Sequence, residues 1–459
     1  MGITTSFYVD APIDEVFAWH QRPGAFARLT PPFLPMRPVK EAESIADGHA
    51  ELAIGGSRGP RWIAQHQRAE YDPPHRFVDT GTVPALGSLG ALGKLGAKAL
   101  PWRHQHDFLE EGGGTRVIDT VTTTVPRRLL EAVFAYRKRQ LLDDLAVHAA
   151  LREYTSQQLT VAITGSSGTV GTALSALLTT GGHRVVRLVR RDPSNDPSAR
   201  RPDGAVTARH WNLEHPDPAM LDGVDVVVHL AGESIAGRFN DAHKAAIRDS
   251  RVGPTRALAE VSGDRPFVSA SAIGYYGNDR DEPVDETSAP GEGFLAEVVQ
   301  AWEDSARAAT GRVVCVRTGI VQSSAGGALA LQRPLFEAGV GGRLGSGLQW
   351  MSWIALDDLT DIYYRAIVDA RLAGPVNAVA PRPVRNAEWA ATMGRVLRRP
   401  TVLPVPKVGP QLLLGDEGAQ ELALASQRVR PAVLETLDHR FRFTELEAAL
   451  RHELGRERL

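Results

Sequence analysis

The pattern of hydrophobic and polar positions changes about a third of the way along the chain. In residues 1–155, several stretches alternate between apolar and polar side chains, as strands do when one face is buried. Residues 127–154 follow without glycine or proline, and their apolar positions recur at helical spacing. An early helix is expected near Pro12, and the predicted strands are residues 3–9, 62–71, 76–82, 101–109 and 115–124. The expected unit is a curved sheet wrapped on a long helix, which encloses a cavity.

A segment rich in leucine and glycine, residues 86–100, interrupts the alternation of this first unit. Leu86, Leu89, Leu92 and Leu95 recur every three residues, and each of them is followed by a glycine. A stable helix is not expected here, because each glycine costs a helix about 1 kcal/mol relative to alanine. Two interpretations remain, a mobile apolar lid over the predicted cavity and a flexible surface loop.

From Gln158 onward the chain consists of short, valine-rich apolar runs, each followed by a stretch of helical periodicity. These runs are residues 159–164, 184–189, 206–211, 224–229, 267–271 and 313–317. Such alternation is typical of an α/β fold with a doubly wound parallel sheet. It ends after Gly319, which predicts a smaller lobe and then a helical tail with runs at 409–414, 418–426 and 431–437. The predicted domains are residues 1–155, 158–402 and 403–459.

The first apolar run of the second unit ends in a glycine motif that opens a helix. Thr164 is followed by Gly165, Gly168 and Gly171 at the spacing GxxGxxG. The first glycine permits a tight turn, the second lets the backbone approach a pyrophosphate, and the third allows close packing of helix on strand. Because the motif lies between a strand and a helix, it predicts a bound dinucleotide rather than an incidental turn.

Two arginines, Arg190 and Arg191, follow the second of these apolar runs. At this point, about 20 residues after the last glycine, NAD enzymes place an acid on the ribose 2′-hydroxyl. Arginines suit a 2′-phosphate instead, so the sequence predicts NADP in preference to NAD. The alternative is a solvated basic turn, and the neighbouring Asp192 is an argument for it.

Charge and cysteine content exclude several classes of partner. The 52 basic and 54 acidic residues give a net charge of −2, which argues against nucleic acid or an anionic membrane as partner. No apolar stretch is long enough for a membrane span, and no apolar region of a signal peptide is evident near residue 1. The single cysteine, Cys315, excludes an internal disulfide and is expected to be an inert core thiol. A reducing, cytoplasmic location is expected.

Segments at the ends of three predicted strands resemble the extended short-chain dehydrogenases/reductases. They are residues 164–171, residues 229–232 and residues 269–277. Further segments are similar to the NAD(P)-dependent epimerase family, in its SDR39U1-like, sugar-epimerase-like branch. These are residues 232–238, 250–251, Asp304 with 317–319, and 352–354 with 357–358. The resemblance covers residues 159–400, and the tail resembles the C-terminal domain of unknown function of that branch.

Residues 1–150 resemble a different group, the START/polyketide-cyclase-like (SRPBCC) superfamily. The resemblance lies in the order of the elements and in residues 15–17, 19–20, 23–26 and 102–108. It implies an α+β helix-grip domain with a cavity for a hydrophobic ligand, and this domain precedes the Rossmann-type domain in the chain.

The resemblance to the reductases implies a role for each residue of the cofactor site. The pyrophosphate would be held by Thr164, Gly165, Gly168, Thr169, Val170 and Gly171, and the 2′-phosphate by Arg190 and Arg191. Asn212 and Leu213 would lie near the adenine. The ribose would be lined by Leu230, Ala231 and Gly232, with Glu233 and Arg238 just beyond, and Val321 would approach the nicotinamide.

The catalytic pattern of the resembled family is incomplete in this sequence. Extended reductases polarise the substrate oxygen with a serine and a tyrosine, and a lysine four residues after the tyrosine lowers its pKa. Ser271 occupies the serine position, but Phe294 and Val298 stand where the tyrosine and lysine are expected. Tyr275 and Tyr276 are the nearby candidates for the acid/base role. The alternative for both tyrosines is packing at the strand end.

Two histidines, His104 and His106, share one face of a predicted strand in the first unit. Histidines two residues apart can share a metal ion. No third ligand is evident in the sequence, so no metal site is predicted. Both rings are expected to line a pocket or to make a local hydrogen bond.

Two functions from different classes follow from these observations. The first is an NADP-dependent oxidoreductase or epimerase that acts on an unknown small molecule, with an apolar ligand in the N-terminal cavity. The second is a non-catalytic sensor or carrier that binds NADP and a lipid or aromatic ligand, which Phe294 and Val298 favour. The resemblance also leaves open a homodimer that pairs through the helices beside the fifth strand of the parallel sheet.

Overall fold

The computed structural model describes residues 2–56, 58–83, 100–195, 204–405 and 408–459. Its N-terminal part is a seven-stranded antiparallel sheet of order β1-β7-β6-β5-β4-β3-β2. The strands are β1 (Gly2–Val9), β2 (Met36–Lys40), β3 (His49–Ile54), β4 (Arg61–His66), β5 (Arg76–Val83), β6 (Leu100–Glu111) and β7 (Gly114–Thr123). The helices are α1 (Ile13–Gln21), α2 (Ala25–Arg28) and the long α3 (Arg127–Leu151). Apart from Leu100, the predicted lid at residues 86–100 lies outside the described residues.

One face of this sheet is covered by α1 and α3, because the alternating strands place their apolar side chains there. The shared core contains Phe7, Phe77, Phe108, Val117, Val16, Phe17, Leu141 and Leu145. The strand predicted at residues 62–71 ends at His66, and residues 68–70 form a short 3-10 turn. The strands β2 and β3 were not predicted from the sequence; the proline and charges of β2 hide any alternation at this exposed sheet edge.

The middle of the chain is a seven-stranded parallel sheet of order β10-β9-β8-β11-β12-β14-β18, which confirms the predicted Rossmann-like fold. Its strands are β8 (Thr160–Thr164), β9 (Arg184–Val189), β10 (Val206–His210), β11 (Val226–His229), β12 (Phe267–Ala272), β14 (Val313–Thr318) and β18 (Gly374–Ala378). The helices that connect or flank them are α4 (Thr169–Thr180), α5 (Asp241–Asp249), α6 (Val252–Val261), α7 (Phe294–Ala306) and α9 (Leu356–Val368). Cys315 is buried in β14, as expected.

A smaller lobe and the tail pack against one end of this sheet. The lobe contains β13 (Asp279–Val284), β15 (Ile320–Gln322), β16 (Trp350–Met351), β17 (Trp353–Ala355), β19 (Val384–Arg385), α8 (Gly327–Glu337) and α10 (Asn386–Leu397). The tail contains α11 (Val408–Gly418), β20 (Ser426–Val429), α12 (Ala432–Thr436) and α13 (Leu446–Glu453). The tail was predicted as helical, but β20 pairs in parallel with β13. Among the described residues, no helix is long and apolar enough to cross a membrane.

Buried charges join the N-terminal sheet, the parallel sheet and the tail at one point. Arg28 is bound to Asp144 of α3 at 2.6 Å and to Asp357 of α9 at 2.8 Å. Arg442 of the tail is bound to the same Asp144 at 2.9 Å and to Asp361 at 2.5 Å. All five side chains are at most 8% exposed, so the three parts of the chain are held by a single network, here called the junction cluster.

Candidate functional site

The turn between β8 and α4 leaves open space at the start of the helix. Gly165 has a φ of +63°, and a Cβ atom there would lie 2.8 Å from the Leu230 carbonyl carbon. At Gly171 a Cβ atom would lie 2.3 Å from the Gly165 oxygen, so both positions require glycine. Gly168 has an ordinary φ of −74°, and a Cβ atom there would meet only the Gly165 oxygen, 3.3 Å away. Since Gly168 is exposed at the helix N-terminus, its bare backbone forms an open cradle that suits a pyrophosphate.

The end of β11 is tied to this turn through one hydroxyl group. Thr164 Oγ1 accepts hydrogen bonds from the backbone N–H groups of Leu230 at 3.0 Å and Ala231 at 3.2 Å. It lies 2.8 Å from His229 Nδ1. Burial lowers the pKa of His229 to about 3, so the ring is neutral and can accept the hydroxyl proton. Leu230 and Ala231, which were predicted to line the ribose, are thereby held next to the glycine turn.

Arg190 and Arg191 are exposed and follow β9, the neighbour of β8 in the sheet. The carboxyl ends of parallel strands meet at one edge, so both residues lie at the same edge as the glycine turn. Arg187 of β9 donates from Nε to the buried Ser166 Oγ at 3.0 Å and thus ties this strand to the turn. The structure therefore places two exposed cations at the sheet edge where the sequence predicted a 2′-phosphate.

The residues predicted near the adenine follow β10. Asn212 Oδ1 accepts hydrogen bonds from the backbone N–H groups of Glu214 and His215, at 3.0 Å and 3.1 Å. Leu213 packs against the apolar cluster behind the sheet. The Asn212 side chain thus shapes its own loop, and contact with an adenine stays a prediction for both residues.

The residues predicted just beyond the ribose lie on the loop after β11. The backbone N–H of Glu233 donates to Ser250 Oγ at 3.0 Å, and its carbonyl oxygen accepts from Arg251 at 2.9 Å. Gly232 faces the guanidinium group of Arg251, which a Cβ atom would approach to 3.2 Å. Arg251 therefore orders this loop, although only its place in the resembled motif had drawn attention to it.

Arg238 and Val321 lie further from the glycine turn. The stem of Arg238 lies about 3.6 Å from where a Cβ atom of Gly415 in the tail would stand, so this arginine is placed beside the tail. Val321 is half-buried in β15 and packs on the central core. The loop after β15 returns to the start of α4, where a Cβ atom at Gly326 would lie 2.5 Å from Thr169 Oγ1.

The candidate catalytic serine belongs to a buried charge network. Ser271 Oγ lies 2.6 Å from Glu303 Oε1 and donates to it. Glu303 accepts hydrogen bonds from Nε and from one terminal nitrogen of Arg317, each at 2.8 Å. Burial opposes the charge of Arg317, but the ion pair with Glu303 raises the pKa of the guanidinium above its usual range. The hydroxyl proton of Ser271 is therefore committed to Glu303 and not directed at a substrate.

The two candidate tyrosines differ in what their hydroxyl groups contact. Tyr276 is fully buried; its hydroxyl donates to Asn377 Oδ1 at 2.8 Å and accepts from Arg317 at 2.9 Å. Burial raises the pKa of Tyr276 to about 12. Tyr275 is half-buried, and the Arg317 guanidinium lies over its ring at 3.4 Å. Within the described ranges, the Tyr275 hydroxyl has no hydrogen-bond partner, so it is the one available for a ligand.

Phe294 and Val298, at the positions of the missing tyrosine and lysine, belong to an apolar cluster on α7. Val298 is buried, and Phe294 packs against Phe239 with ring centroids 5.9 Å apart. Lys244 of α5 lies over the Phe294 ring, with its Nζ 4.8 Å from the centroid. No phenol–ammonium pair can form at these two positions, in agreement with the sequence.

Two residues that were not predicted from the sequence, Glu303 and Asn377, complete this network around Arg317. A signal for Glu303 was present, since it shares the apolar face of α7 with Leu295, Val299 and Trp302. A carboxylate on the buried face of a helix needs a buried cation. Asn377 lies on a strand that the apolar runs did not include, and no signal for it was available.

A second concave region lies in the N-terminal part of the chain, where a cavity of about 470 Å³ is lined mainly by apolar side chains. Its polar wall contains His66, Asp79, His104, His106 and the half-buried Arg137. The structure thus brings the two histidines of β6 together with an aspartate of β5 that the sequence had not singled out.

Comparisons with protein families match the middle and the end of the chain. The model of the NAD dependent epimerase/dehydratase family matches residues 161–378, and that of a domain of unknown function, DUF1731, matches residues 405–453. An epimerase family protein of Mycobacterium bovis is 44% identical over 299 residues, which are 63% of this chain and 96% of that protein. The human epimerase family protein SDR39U1 is 33% identical over 302 residues, which are 63% of this chain and 98% of that protein.

Two solved structures that resemble this fold also share 30% or more of their residues with this chain. A crystal structure described as a nucleoside-diphosphate sugar epimerase from Corynebacterium glutamicum is 45% identical, with a TM-score of 0.83, and covers 100% of this chain and 91% of its own. Human SDR39U1 with NADPH is 30% identical, with a TM-score of 0.57, over 64% of this chain and 99% of that one. The first likeness includes the N-terminal antiparallel sheet, whereas the second does not extend over the whole chain.

Proposed function

This chain belongs to the NAD dependent epimerase/dehydratase family, and from that premise we propose that it is an NADP-dependent oxidoreductase or epimerase of a small molecule. The observation that carries the proposal is the open cradle at Gly168, between two glycines that cannot accept a side chain. A bare backbone at a helix N-terminus fits a pyrophosphate. The NADPH in the human relative, at 30% identity, supports the same cofactor here.

Residues of three neighbouring strand ends would hold this cofactor. The pyrophosphate would lie on Gly168 and the first N–H groups of α4, and the ribose beside Leu230 and Ala231. The exposed Arg190 and Arg191 would hold the 2′-phosphate through charge-assisted hydrogen bonds. When bound, the nicotinamide supplies or accepts a hydride, which is the chemistry that oxidoreduction and epimerisation share.

The Tyr275 hydroxyl is the protein group that we assign to the substrate, because the hydroxyls of Ser271 and Tyr276 are committed to Glu303 and Asn377. Arg317 holds the ring of Tyr275 in place from one side. The substrate class includes nucleoside-diphosphate sugars, since the Corynebacterium glutamicum relative at 45% identity is described as an epimerase of these compounds.

A second function, binding without turnover, is favoured by one specific observation. Phe294 and Val298 replace the tyrosine and lysine of the reductases, and both belong to an apolar cluster. In this alternative, NADP and an apolar ligand of the N-terminal cavity act together in a sensor or carrier. The two functions share the cofactor site and differ in whether a hydride moves.

The proposed domains are residues 1–155, 158–402 and 403–459, with the first related to the START/polyketide-cyclase-like (SRPBCC) superfamily. The long α3 lying against a curved antiparallel sheet supports the helix-grip assignment. The cavity enclosed between them, about 470 Å³, supports a hydrophobic ligand in this domain.

The cofactor assignment is tested by titrating the protein with NADPH and NADH and following nucleotide fluorescence. We expect NADPH to bind more tightly than NADH, and the double variant Arg190→Ala/Arg191→Ala to lose about 10- to 100-fold in NADPH affinity only. The control is Arg184→Ala, an exposed arginine at the opposite end of β9. Equal affinity for both nucleotides in the wild type would overturn the assignment of NADP.

Turnover is tested with a panel of nucleoside-diphosphate sugars, ketones and aldehydes. NADPH oxidation and the appearance of an epimer are both followed, because an epimerase returns its cofactor unchanged. On any active compound, Tyr275→Phe should remove turnover at unchanged NADPH affinity, whereas Tyr276→Phe should chiefly lower stability. Stoichiometric NADPH binding without turnover on the panel would favour the sensor or carrier instead.

A further inference from the structure

The polar wall of the N-terminal cavity is built from three adjacent strands in register. His104 of β6 lies opposite Asp79 of β5, and His106 lies opposite Asp119 of β7. Side chains directly opposite each other in a sheet have Cβ atoms only about 5 Å apart. Since His104 and His106 are two residues apart on one strand, all four side chains share one face, and all four are buried. The neighbouring strand thus supplies, in Asp79, the third potential ligand that was not evident from the sequence.

Three potential ligand atoms converge on one point of this wall. Asp79 Oδ2 lies 3.6 Å from His104 Nδ1 and 4.0 Å from His106 Nε2, and all three atoms lie within 4.8 Å of one another. In a tetrahedral zinc site with bonds of about 2.1 Å, the ligand atoms are about 3.4 Å apart. The two distances to Asp79 Oδ2 are therefore close to those of such a site, and the two histidine nitrogens lie within 4.8 Å of each other.

The opposite ring nitrogens of both histidines face a single carboxylate. Asp119 Oδ1 lies 3.0 Å from His104 Nε2, which can donate a hydrogen bond to it. It also lies 2.8 Å from His106 Nδ1, although this ring is turned off the ideal line of a hydrogen bond. Carboxylates that accept from the second nitrogen of a metal-bound histidine orient the ring and select its tautomer. Asp119 lies beside the second nitrogen of both rings at once.

The donors and acceptors of these side chains do not match in number. If both rings donate to Asp119, then His104 Nδ1 and His106 Nε2 carry lone pairs and face the carboxylate oxygen of Asp79. Within the part of the chain that the structure describes, Asp79 receives one hydrogen bond, from Trp102 Nε1 at 3.1 Å, and it goes to the other oxygen. Three acceptors therefore face one another in a buried place, and a cation between them would satisfy all three.

We propose that Asp79, His104 and His106 bind a divalent transition-metal ion of the zinc class at the wall of the N-terminal cavity. Two imidazoles and one carboxylate are ligands that zinc and ferrous iron both accept, and three protein ligands leave coordination positions open. Because the three residues line the cavity, the open positions face it. The site would take the anionic or carbonyl head of an apolar molecule, which makes the proposed cavity ligand chemically more specific.

The experiment uses the full-length, untagged protein after treatment with a chelator, with Co²⁺ as the spectroscopic probe and Zn²⁺ as competitor. Titration calorimetry and the visible absorption of Co²⁺ should both show one equivalent bound and displaced by Zn²⁺. Asp79→Asn, His104→Gln and His106→Gln should each abolish this binding. Asp119→Asn should weaken it by about 10- to 100-fold. The control is His49→Gln, a half-exposed histidine on β3 of the same sheet.

Circular dichroism and NADPH affinity are measured on every variant, which separates loss of the metal from loss of the fold or of the proposed cofactor site. Absence of saturable Co²⁺ binding in the wild type would overturn the proposal whether or not NADPH binds. Binding that survives in Asp79→Asn and His106→Gln would also overturn it, since the ion would then lie elsewhere.

Discussion

A Cβ atom at Gly168 would meet a single backbone oxygen, whereas one at Gly165 or Gly171 would enter the neighbouring backbone. Gly168→Ala should therefore fold with a stability change below about 1 kcal/mol. Its methyl group would occupy the space that the pyrophosphate needs, so NADPH affinity should fall at least about tenfold. Fluorescence titration and urea denaturation of the same preparation measure both quantities.

The contrast for this variant is Gly165→Ala. Its positive φ and the 2.8 Å approach to Leu230 should destabilise the whole domain, by more than about 2 kcal/mol. If Gly168→Ala binds NADPH as the wild type does, the cradle is not where the cofactor lies.

Glu303 and Asp304 are adjacent in sequence but differ completely in surroundings. The Glu303 side chain is 1% exposed and binds Arg317 through two hydrogen bonds, whereas Asp304 is 69% exposed. Glu303→Gln should lower the free energy of unfolding by about 3–5 kcal/mol, because it leaves a buried guanidinium without its counter-charge. Asp304→Asn should change it by less than about 1 kcal/mol. Urea denaturation of both variants gives the comparison, and equal effects would mean that the network around Arg317 is not structural.

At the scale of elements, six of the seven strands of the parallel sheet were predictable because each lies in a short, valine-rich apolar run, whereas β18 lies in none of these runs. The run at 184–189 coincides with β9, and the other five differ from their strands by at most two residues at either end. The antiparallel edge was not predictable, because β2 is mostly exposed and carries a proline. In the tail, β20 has the sequence Ser-Gln-Arg-Val and takes its conformation from pairing with β13, which no local pattern reveals.

The parts of the site that lie close together in sequence were predictable, whereas the parts that depend on how strands pair were not. The glycine turn and the two arginines follow from strand, spacing and charge. Asp79 joins His104 and His106 only through the pairing of β5 with β6, and the lengths of these strands and their loop do not determine that pairing. Likewise, the sequence did not show that the Ser271 hydroxyl donates a hydrogen bond to Glu303, because 32 residues separate the two.

The helix α13 contains a histidine whose charge depends on tertiary contacts. His452 Nδ1 lies 2.9 Å from Glu457 Oε2, and its Nε2 lies 3.5 Å from Asp357 Oδ2. Burial opposes the charged ring, but Asp357 and Glu457 outweigh it and raise the pKa of His452 to about 9. The folded state therefore holds the proton more tightly than the unfolded state, where the pKa is about 6.5.

This histidine predicts a loss of stability at alkaline pH. Its contribution is complete below the unfolded pKa and is lost as the pH rises through the folded value of about 9. The free energy of unfolding should fall by about 2 kcal/mol between pH 7 and pH 9. In His452→Gln the decline should be much smaller, whereas the exposed His75→Gln should keep it. Urea denaturation at three pH values measures the slopes, and an unchanged slope in His452→Gln would contradict the assignment.

At the scale of the whole molecule, Arg28 links the N-terminal domain to the parallel sheet. Arg28→Met would leave Asp144 and Asp357 buried with one cation fewer, which should destabilise the chain by about 3–5 kcal/mol. We expect the N-terminal domain to detach first, visible as a separate calorimetric transition and as earlier proteolysis near residue 155.

The matched control is Arg22→Met at the same interface. Arg22 donates to the Thr180 carbonyl oxygen at 2.8 Å and to Glu15, but its side chain remains 26% exposed. This variant should lose about 1 kcal/mol or less and keep a single transition. Identical thermograms for the two variants would show that the junction cluster does not hold the domains together.

The residues of the junction cluster can pair only in a fixed order while the chain is being translated. Arg28 and Asp144 leave the ribosome early and can pair once α2 and α3 have packed on the N-terminal sheet. Arg442, which binds the same Asp144, is 298 residues further along the chain. At about 5–20 residues per second, roughly 15–60 seconds pass before this second cation is made. During that interval Asp144 is paired with Arg28 alone, so the N-terminal part can fold before the tail docks on it through Arg442.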